Sequence, residues 1–115
     1  MNYQIDIRIL SLMLETISKI EGVYYSHTEN EILENYVLSD SIEFEFQKLY
    51  EDSVRLSLEL RITYGNLPID KLRAIRNRVA HDYEHVSLEI LFSTIRNDIP
   101  EFKNNIKMIL ENINK

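Results

Sequence analysis

Residues 3–21 read YQIDIRILSLMLETISKIE, and the spacing of their apolar side chains predicts the fold class. These side chains recur at intervals of three and four residues, which places them on one face of an α-helix. They are Ile9, Leu10, Met13, Leu14, Ile17 and Ile20. Gly22 follows directly and predicts the end of this helix, because glycine adopts the left-handed cap conformation without a steric penalty.

Capping patterns predict where the next helices begin. Residues 28–31 (TENE) and 40–43 (DSIE) each place a short oxygen-bearing side chain three residues before an acid, as a capping box requires. The first box opens a short helix to about Val37, and the second opens a long helix that ends at residues 64–66 (YGN). The apolar face of that long helix is formed by Ile42, Phe46, Leu49, Leu56 and Leu60.

Three further signals punctuate the second half of the chain. Pro68 suits the first turn of a helix, Ser87 is a candidate cap for the next one, and residues 98–101 (DIPE) form another capping box with Pro100 in the first turn. No segment alternates with the period of a strand, and no repeat is present. We therefore expect one domain over residues 1–115, an all-α antiparallel bundle of four to five helices.

Composition narrows the class of protein. The 115 residues include 44% hydrophobic residues, enough for a packed core, and no cysteine, which excludes disulfides, thiolate metal sites and thiol nucleophiles. No apolar run exceeds three residues, and the first ten residues do not resemble a signal peptide. We expect a soluble cytoplasmic protein that has no membrane partner. A net charge of -6 argues, taken alone, against a nucleic-acid partner.

The local charge of one segment differs from that average. Residues 71–85 read KLRAIRNRVAHDYEH, and their first eight residues hold four cations and no acid. These cations are Lys71, Arg73, Arg76 and Arg78. Arg76 and His81 are five positions apart, about 500° of helical rotation, so their side chains lie within about 140° of each other. Both can converge on one anion, particularly if a second copy of the chain contributes the same pair.

This pair of side chains suits metal-independent cleavage of RNA. An arginine holds a phosphate and stabilises the charge that develops on it, while a histidine exchanges a proton with the 2′-hydroxyl or the leaving oxygen. DNA lacks the 2′-hydroxyl and cannot react in this way. The alternative is purely structural: His81 caps the end of its helix, and Arg76 pairs with an acid.

The sequence does not favour a zinc site or a nucleotide-binding loop. His81 and His85 have the spacing of a zinc-binding pair, but a helix cap at Ser87 would put residues 82–86 in a turn, and no third ligand is evident. The two glycines are isolated, so the chain has no glycine-rich loop for a nucleotide. We expect neither a metal nor a cofactor.

Residues 76–83 (RNRVAHDY) match the R-x4-H-x-Y motif, with a polar residue directly after the arginine. With the long helix before it and the Asp98-Ile-Pro100 start of the last helix after it, the chain resembles the HepT-type HEPN domains over about its whole length.

The resemblance implies a homodimer in which two motifs face each other across a cleft and form a metal-free ribonuclease site. It assigns catalysis to Arg76 and His81, with Asn77 in support, and the remaining cations Lys71, Arg73 and Arg78 are expected to contact RNA. HepT proteins are toxins of toxin–antitoxin pairs of the MntA–HepT type. Their antitoxin, a minimal nucleotidyltransferase, silences them by transferring AMP to the motif tyrosine, here Tyr83.

Two alternatives to a ribonuclease remain open at this point. One is a non-catalytic binding partner that presents a substrate or a regulatory tyrosine to a nucleotidyltransferase and uses the same residues to bind nucleotide. The other is a helical dimerisation protein that retains the motif without using it.

Overall fold

The computed structural model describes residues 3–80 and 84–114. This part of the chain folds into seven helices and contains no strand, which confirms the predicted all-α bundle. In order, the helices are α1 (Gln4–Tyr25), α2 (Glu29–Glu34), α3 (Tyr36–Arg55), α4 (Leu58–Thr63), α5 (Ile69–Ala80), α6 (Glu84–Asn97) and α7 (Ile99–Ile113). None of the helices in the described residues has the length and apolar character needed to cross a membrane.

The core is built around the contact between α1 and α3, with α5 packed on α3 and α7 packed on α1. The predicted apolar face of α1 points into this core. Five of its six side chains are buried, namely Ile9, Leu10, Met13, Ile17 and Ile20. The sixth, Leu14, is partly buried and packs against this core. All five apolar side chains predicted for the long helix are buried as well. The three-and-four spacing therefore identified the core-facing residues of both helices correctly.

The predicted end of α1 at Gly22 is wrong, because the helix continues beyond it to Tyr25. The reason is the burial of Tyr24, whose ring lies 5.6 Å from the ring of Phe92 in α6. Its hydroxyl bonds to the Glu29 carboxylate, and both burial and that carboxylate raise the pKa of Tyr24. Burying a large ring stabilises the fold by about 1.5–3 kcal/mol, which exceeds the cost of about 1 kcal/mol for a glycine inside a helix.

The first capping box is confirmed at α2, but this helix ends at Glu34 and not near Val37, because Asn35 caps the next helix. The Glu31 amide donates to the Thr28 hydroxyl at 3.1 Å, and the Thr28 amide donates to the Glu31 carboxylate at 2.8 Å. The second box is wrong, since α3 begins at Tyr36 and residues 40–43 lie inside it. Asn35 caps α3 instead, because its side-chain oxygen accepts from the amides of residues 37 and 38.

The predicted long helix is broken into α3 and α4 at Leu56 and Ser57, where the backbone is extended. A carboxylate from α1 causes the break: Asp6 accepts from the Ser57 amide at 2.8 Å and from the Ser57 hydroxyl at 2.7 Å. The same hydroxyl accepts from the Leu60 amide and caps α4. Asp6 is 5% exposed, so this contact across 51 residues is a buried clamp between α1 and α4.

The starts of the last three helices are partly as predicted. Pro68 directly precedes α5, and its carbonyl accepts from the Leu72 amide in the first turn. Ser87 does not begin α6, which starts at Glu84. Pro100 occupies the first turn of α7, as predicted, but the Asp98 side chain makes no capping bond. That carboxylate pairs with Lys71 of α5 instead, at 2.6 Å.

Candidate functional site

Residues 71–78, which carry the four cations and are called the basic segment below, lie on α5, and this helix packs against α3. Two apolar side chains anchor α5 in the core, since Leu72 is 3% exposed and Ile75 is 4% exposed. Because an α-helix repeats every 3.6 residues, Arg73 and Arg76, which directly follow these two anchors in the sequence, lie beside the buried face of α5. Arg73 and Arg76 reach from there to the surface of α3, where both meet the same aromatic ring.

Arg76 is half-buried, and its guanidinium is held by two neighbours. Its Cζ atom lies 4.7 Å from the centre of the Tyr50 ring, within the range of a cation–π contact. Its Nε donates a hydrogen bond to the side-chain oxygen of Asn77 at 3.0 Å. The two neighbouring motif residues are therefore in contact, while the supporting role of Asn77 in catalysis stays a prediction.

Tyr50 is the residue of this site that the sequence did not indicate as functional. Its side chain is buried, with 8% exposure. Its hydroxyl accepts from Arg73 Nε at 3.2 Å while its ring faces Arg76. These contacts join α3 to α5, so nothing in the sequence next to Tyr50 could have predicted them.

Lys71 and Arg73 both have acidic partners. Arg73 pairs with Asp70 at 2.6 Å, and Lys71 pairs with Asp98 at 2.6 Å. The hydrogen bond that Arg73 donates to the Tyr50 hydroxyl is the main reason that the pKa of Arg73 is raised, and Asp70 raises it further. Both cations stay about half exposed, so they can still contribute to the local potential. Their charge is partly offset, however, by a carboxylate within hydrogen-bonding distance.

Arg76 differs from these two cations in its electrostatic surroundings. Among the side chains that the structure describes, which do not include residues 78–87, no carboxylate lies within 4 Å of its guanidinium. Its described partners are a neutral ring and a neutral amide. In the described part of the chain, the alternative in which Arg76 pairs with an acid therefore finds no support. A guanidinium held in place without a counter-charge has its Nη donors available for an external anion.

The other predicted site residues lie outside the described part. His81 and Tyr83 fall between the two described ranges, and the side chain of Arg78 is also outside them. The convergence of Arg76 and His81 thus stays a prediction. The prediction of a turn over residues 82–86 is wrong for residues 84–86, because α6 begins at Glu84. Among the described residues, no three acidic or histidine side chains are grouped as a metal site would need.

Comparison with known proteins agrees with the motif. The family model "Ribonuclease HepT-like" matches residues 13–109, which is most of the chain and includes α5 and the basic segment. No solved structure matches the chain.

Two curated relatives carry ribonuclease names. A Methanocaldococcus jannaschii protein named "Gamma-glutamylcyclotransferase and putative RNase" is 27% identical over 111 residues, which cover 96% of this chain and 50% of the relative. The chain thus spans about half the length of that protein. A Caldanaerobacter subterraneus subsp. tengcongensis protein named "Putative RNase" is 23% identical over 95 residues, 83% of this chain and 81% of the relative. The match of the family model over most of the sequence confirms the resemblance, and the chain belongs to the ribonuclease HepT-like family.

Proposed function

We propose that this chain is an endoribonuclease whose active site is centred on Arg76. The observation that carries the proposal is the state of this side chain: a half-buried guanidinium held by Tyr50 and Asn77, with no described carboxylate near it. A phosphodiester is an anion of the size and geometry that a guanidinium binds through two hydrogen bonds. Family membership supports RNA as the source of that phosphodiester.

The proposed reaction uses the 2′-hydroxyl of RNA as its nucleophile. His81 takes the proton from this hydroxyl, whose oxygen then attacks the adjacent phosphorus. The bond from phosphorus to the 5′-oxygen of the next nucleotide breaks, and that oxygen receives a proton. The products are a 2′,3′-cyclic phosphate and a 5′-hydroxyl, and no metal ion takes part.

Arg76 would act on the charge that develops on the phosphate oxygens. Because Asn77 occupies Nε, the Nη groups are left to bind those oxygens and to stabilise them as the new bond forms. Lys71, Arg73 and Arg78 would contact neighbouring phosphates and hold the strand.

The proposal includes a second copy of the chain. In a homodimer, the two basic segments would face one cleft, which would concentrate positive charge on a protein whose net charge is -6. The site would then be shared between the subunits. This arrangement would explain how a chain with more acids than bases binds RNA.

We also place the chain in a toxin–antitoxin pair, as a toxin whose ribonuclease activity stops growth. A partner nucleotidyltransferase would silence it by transferring AMP from a nucleoside triphosphate to the Tyr83 hydroxyl, with release of pyrophosphate. The added phosphodiester would lie two residues from His81 and repel the phosphate of the substrate.

The test is cleavage of RNA by the purified, unmodified dimer in the presence of EDTA. We expect cleavage by the unaltered protein and a loss of about a hundredfold or more in kcat for Arg76→Ala, since removing one such donor costs that much in other enzymes. We expect a loss of similar size for His81→Ala. Arg8→Ala is the matched control, because Arg8 is an exposed arginine on α1, outside the basic segment.

The results distinguish a ribonuclease centred on Arg76 from a non-catalytic binding partner and from an effect of net charge alone. Loss of cleavage in Arg76→Ala together with full activity in Arg8→Ala supports the proposal. Intact RNA after incubation with the folded, unmodified protein would refute it and favour the non-catalytic binding partner. Equal losses in the Arg76 and Arg8 variants would mean that only net charge matters.

A further inference from the structure

We infer that Tyr50 is a positioning residue for the ribonuclease reaction: its buried ring holds the Arg76 guanidinium where it meets the substrate phosphate. This inference rests on the proposed function and deepens it. Tyr50 does not touch the substrate in this account. It acts through Arg76, from a neighbouring helix, and its position follows from the packing of α3 against α5.

The ring of Tyr50 is a fixed surface. It is 8% exposed, the neighbouring Leu49 is fully buried, and the hydroxyl of Ser53 donates to the Tyr50 carbonyl at 2.6 Å within α3. An arginine side chain has several freely rotating bonds and would sample many positions in water. A guanidinium 4.7 Å from the centre of an immobile ring is restricted to a small part of that range. Tyr50 therefore reduces the entropy that Arg76 would lose when it stabilises the charge that develops on the phosphate in the transition state.

The ring and the hydroxyl of Tyr50 make different contacts with the two arginines. The hydroxyl accepts from Arg73, which is already paired with Asp70. The ring lies 4.7 Å from the Arg76 guanidinium, which has no described counter-charge, and farther, at 5.9 Å, from that of Arg73. Only the contact of Arg73 includes a hydrogen bond to the hydroxyl, so substitutions at Tyr50 can distinguish the role of the ring from that of the hydroxyl.

We expect Tyr50→Leu to lower kcat about tenfold, which corresponds to about 1.4 kcal/mol, with a smaller change in KM. The effect falls on kcat because Arg76 stabilises charge that forms only in the transition state. Tyr50→Phe keeps the ring and should retain kcat within about threefold, since only the hydrogen bond to Arg73 is lost. Recovery with phenylalanine is the result that a role of the Tyr50 hydroxyl in holding Arg73 would not give.

Tyr24→Leu is the matched control, because Tyr24 is 7% exposed and touches neither Arg73 nor Arg76 in the described structure. It should lower the free energy of unfolding without lowering kcat of the folded protein. If Tyr50→Leu retains full kcat, or if Tyr24→Leu loses as much, the inference is wrong.

A second readout does not depend on activity. The Nε–H proton of Arg76, measured by NMR, should be shifted upfield by the ring in the unaltered protein and in Tyr50→Phe, and should lose that shift in Tyr50→Leu. An unchanged resonance in Tyr50→Leu overturns the inference. If the unaltered protein cleaves no RNA, the proposed function fails, and the NMR result alone decides whether Tyr50 positions Arg76.

Discussion

Removal of the Asp6 carboxylate should destabilise the fold more than any other single polar substitution in the described structure. Asp6 is buried in α1 and accepts two hydrogen bonds from Ser57, at 2.8 and 2.7 Å, at the point where α4 begins. Asp6→Ala removes both bonds and leaves the Ser57 amide without its described acceptor. It also removes a negative charge from the start of a helix, where such a charge is favourable.

The size of the effect follows from these contacts. A hydrogen bond to a charged group contributes about 1.5–3 kcal/mol, and two bonds to one carboxylate are not fully additive. We therefore expect Asp6→Ala to lower the free energy of unfolding by about 3 kcal/mol, a large part of the 5–15 kcal/mol that is typical of a domain. Asp6→Asn keeps one acceptor oxygen and the shape of the side chain, so its loss should be smaller.

The assay is unfolding in urea, followed by far-ultraviolet circular dichroism, for Asp6→Ala, Ser57→Ala and the double variant. If the clamp is a single unit, the double variant loses much less than the sum of the two single losses. A loss below about 0.5 kcal/mol for Asp6→Ala, the size expected of an ordinary surface substitution, would refute the reasoning.

Two further predictions concern ion pairs and pH. Lys71 and Asp98 form a half-exposed ion pair that joins α5 to the start of α7. A double-mutant cycle of Lys71→Met and Asp98→Asn should give a coupling free energy of about 0.2–1 kcal/mol that becomes smaller in high salt. A coupling free energy that does not change with salt would contradict this prediction. Hydrogen bonds with the amide and the hydroxyl of Thr28 lower the pKa of Glu31 in the folded protein. The charged capping box therefore stabilises the fold at pH values above the pKa that Glu31 has in the unfolded chain. This stabilisation is lost as the pH falls through the pKa of Glu31 in the folded protein. Urea unfolding from neutral to acid pH should show the unaltered protein losing more stability than Glu31→Gln, and parallel curves would count against the assignment.

The accuracy of the sequence predictions depended on how far apart the interacting residues were. The capping box at Thr28 and the buried face of α1 involve neighbours within one or two helical turns, and both were predicted correctly. The break at Ser57 was missed because its cause is Asp6, 51 residues away. The capping box at Asp98 looked equally sound, but the carboxylate binds Lys71 of another helix.

For the candidate site, too, the accuracy of the predictions depended on how far apart in the chain the interacting residues were. The basic segment was evident from local composition, and the family motif assigned Arg76 to the candidate site. The ion pair between Arg73 and Asp70 is also local, since both residues lie in α5. The partners of Lys71 and Arg76 could not be predicted in this way, because Asp98 and Tyr50 reach α5 from other parts of the fold.

The most direct test of the central claim uses a short RNA in which the mapped cleavage site carries a single 2′-deoxy nucleotide. We expect the unaltered RNA to be cut in EDTA to leave a 2′,3′-cyclic phosphate and a 5′-hydroxyl. We also expect the deoxy substitution to abolish cutting at that position, because the nucleophile is missing. Cleavage at the deoxy-substituted position, or products ending in a 5′-phosphate, would contradict the proposed chemistry of Arg76 and His81.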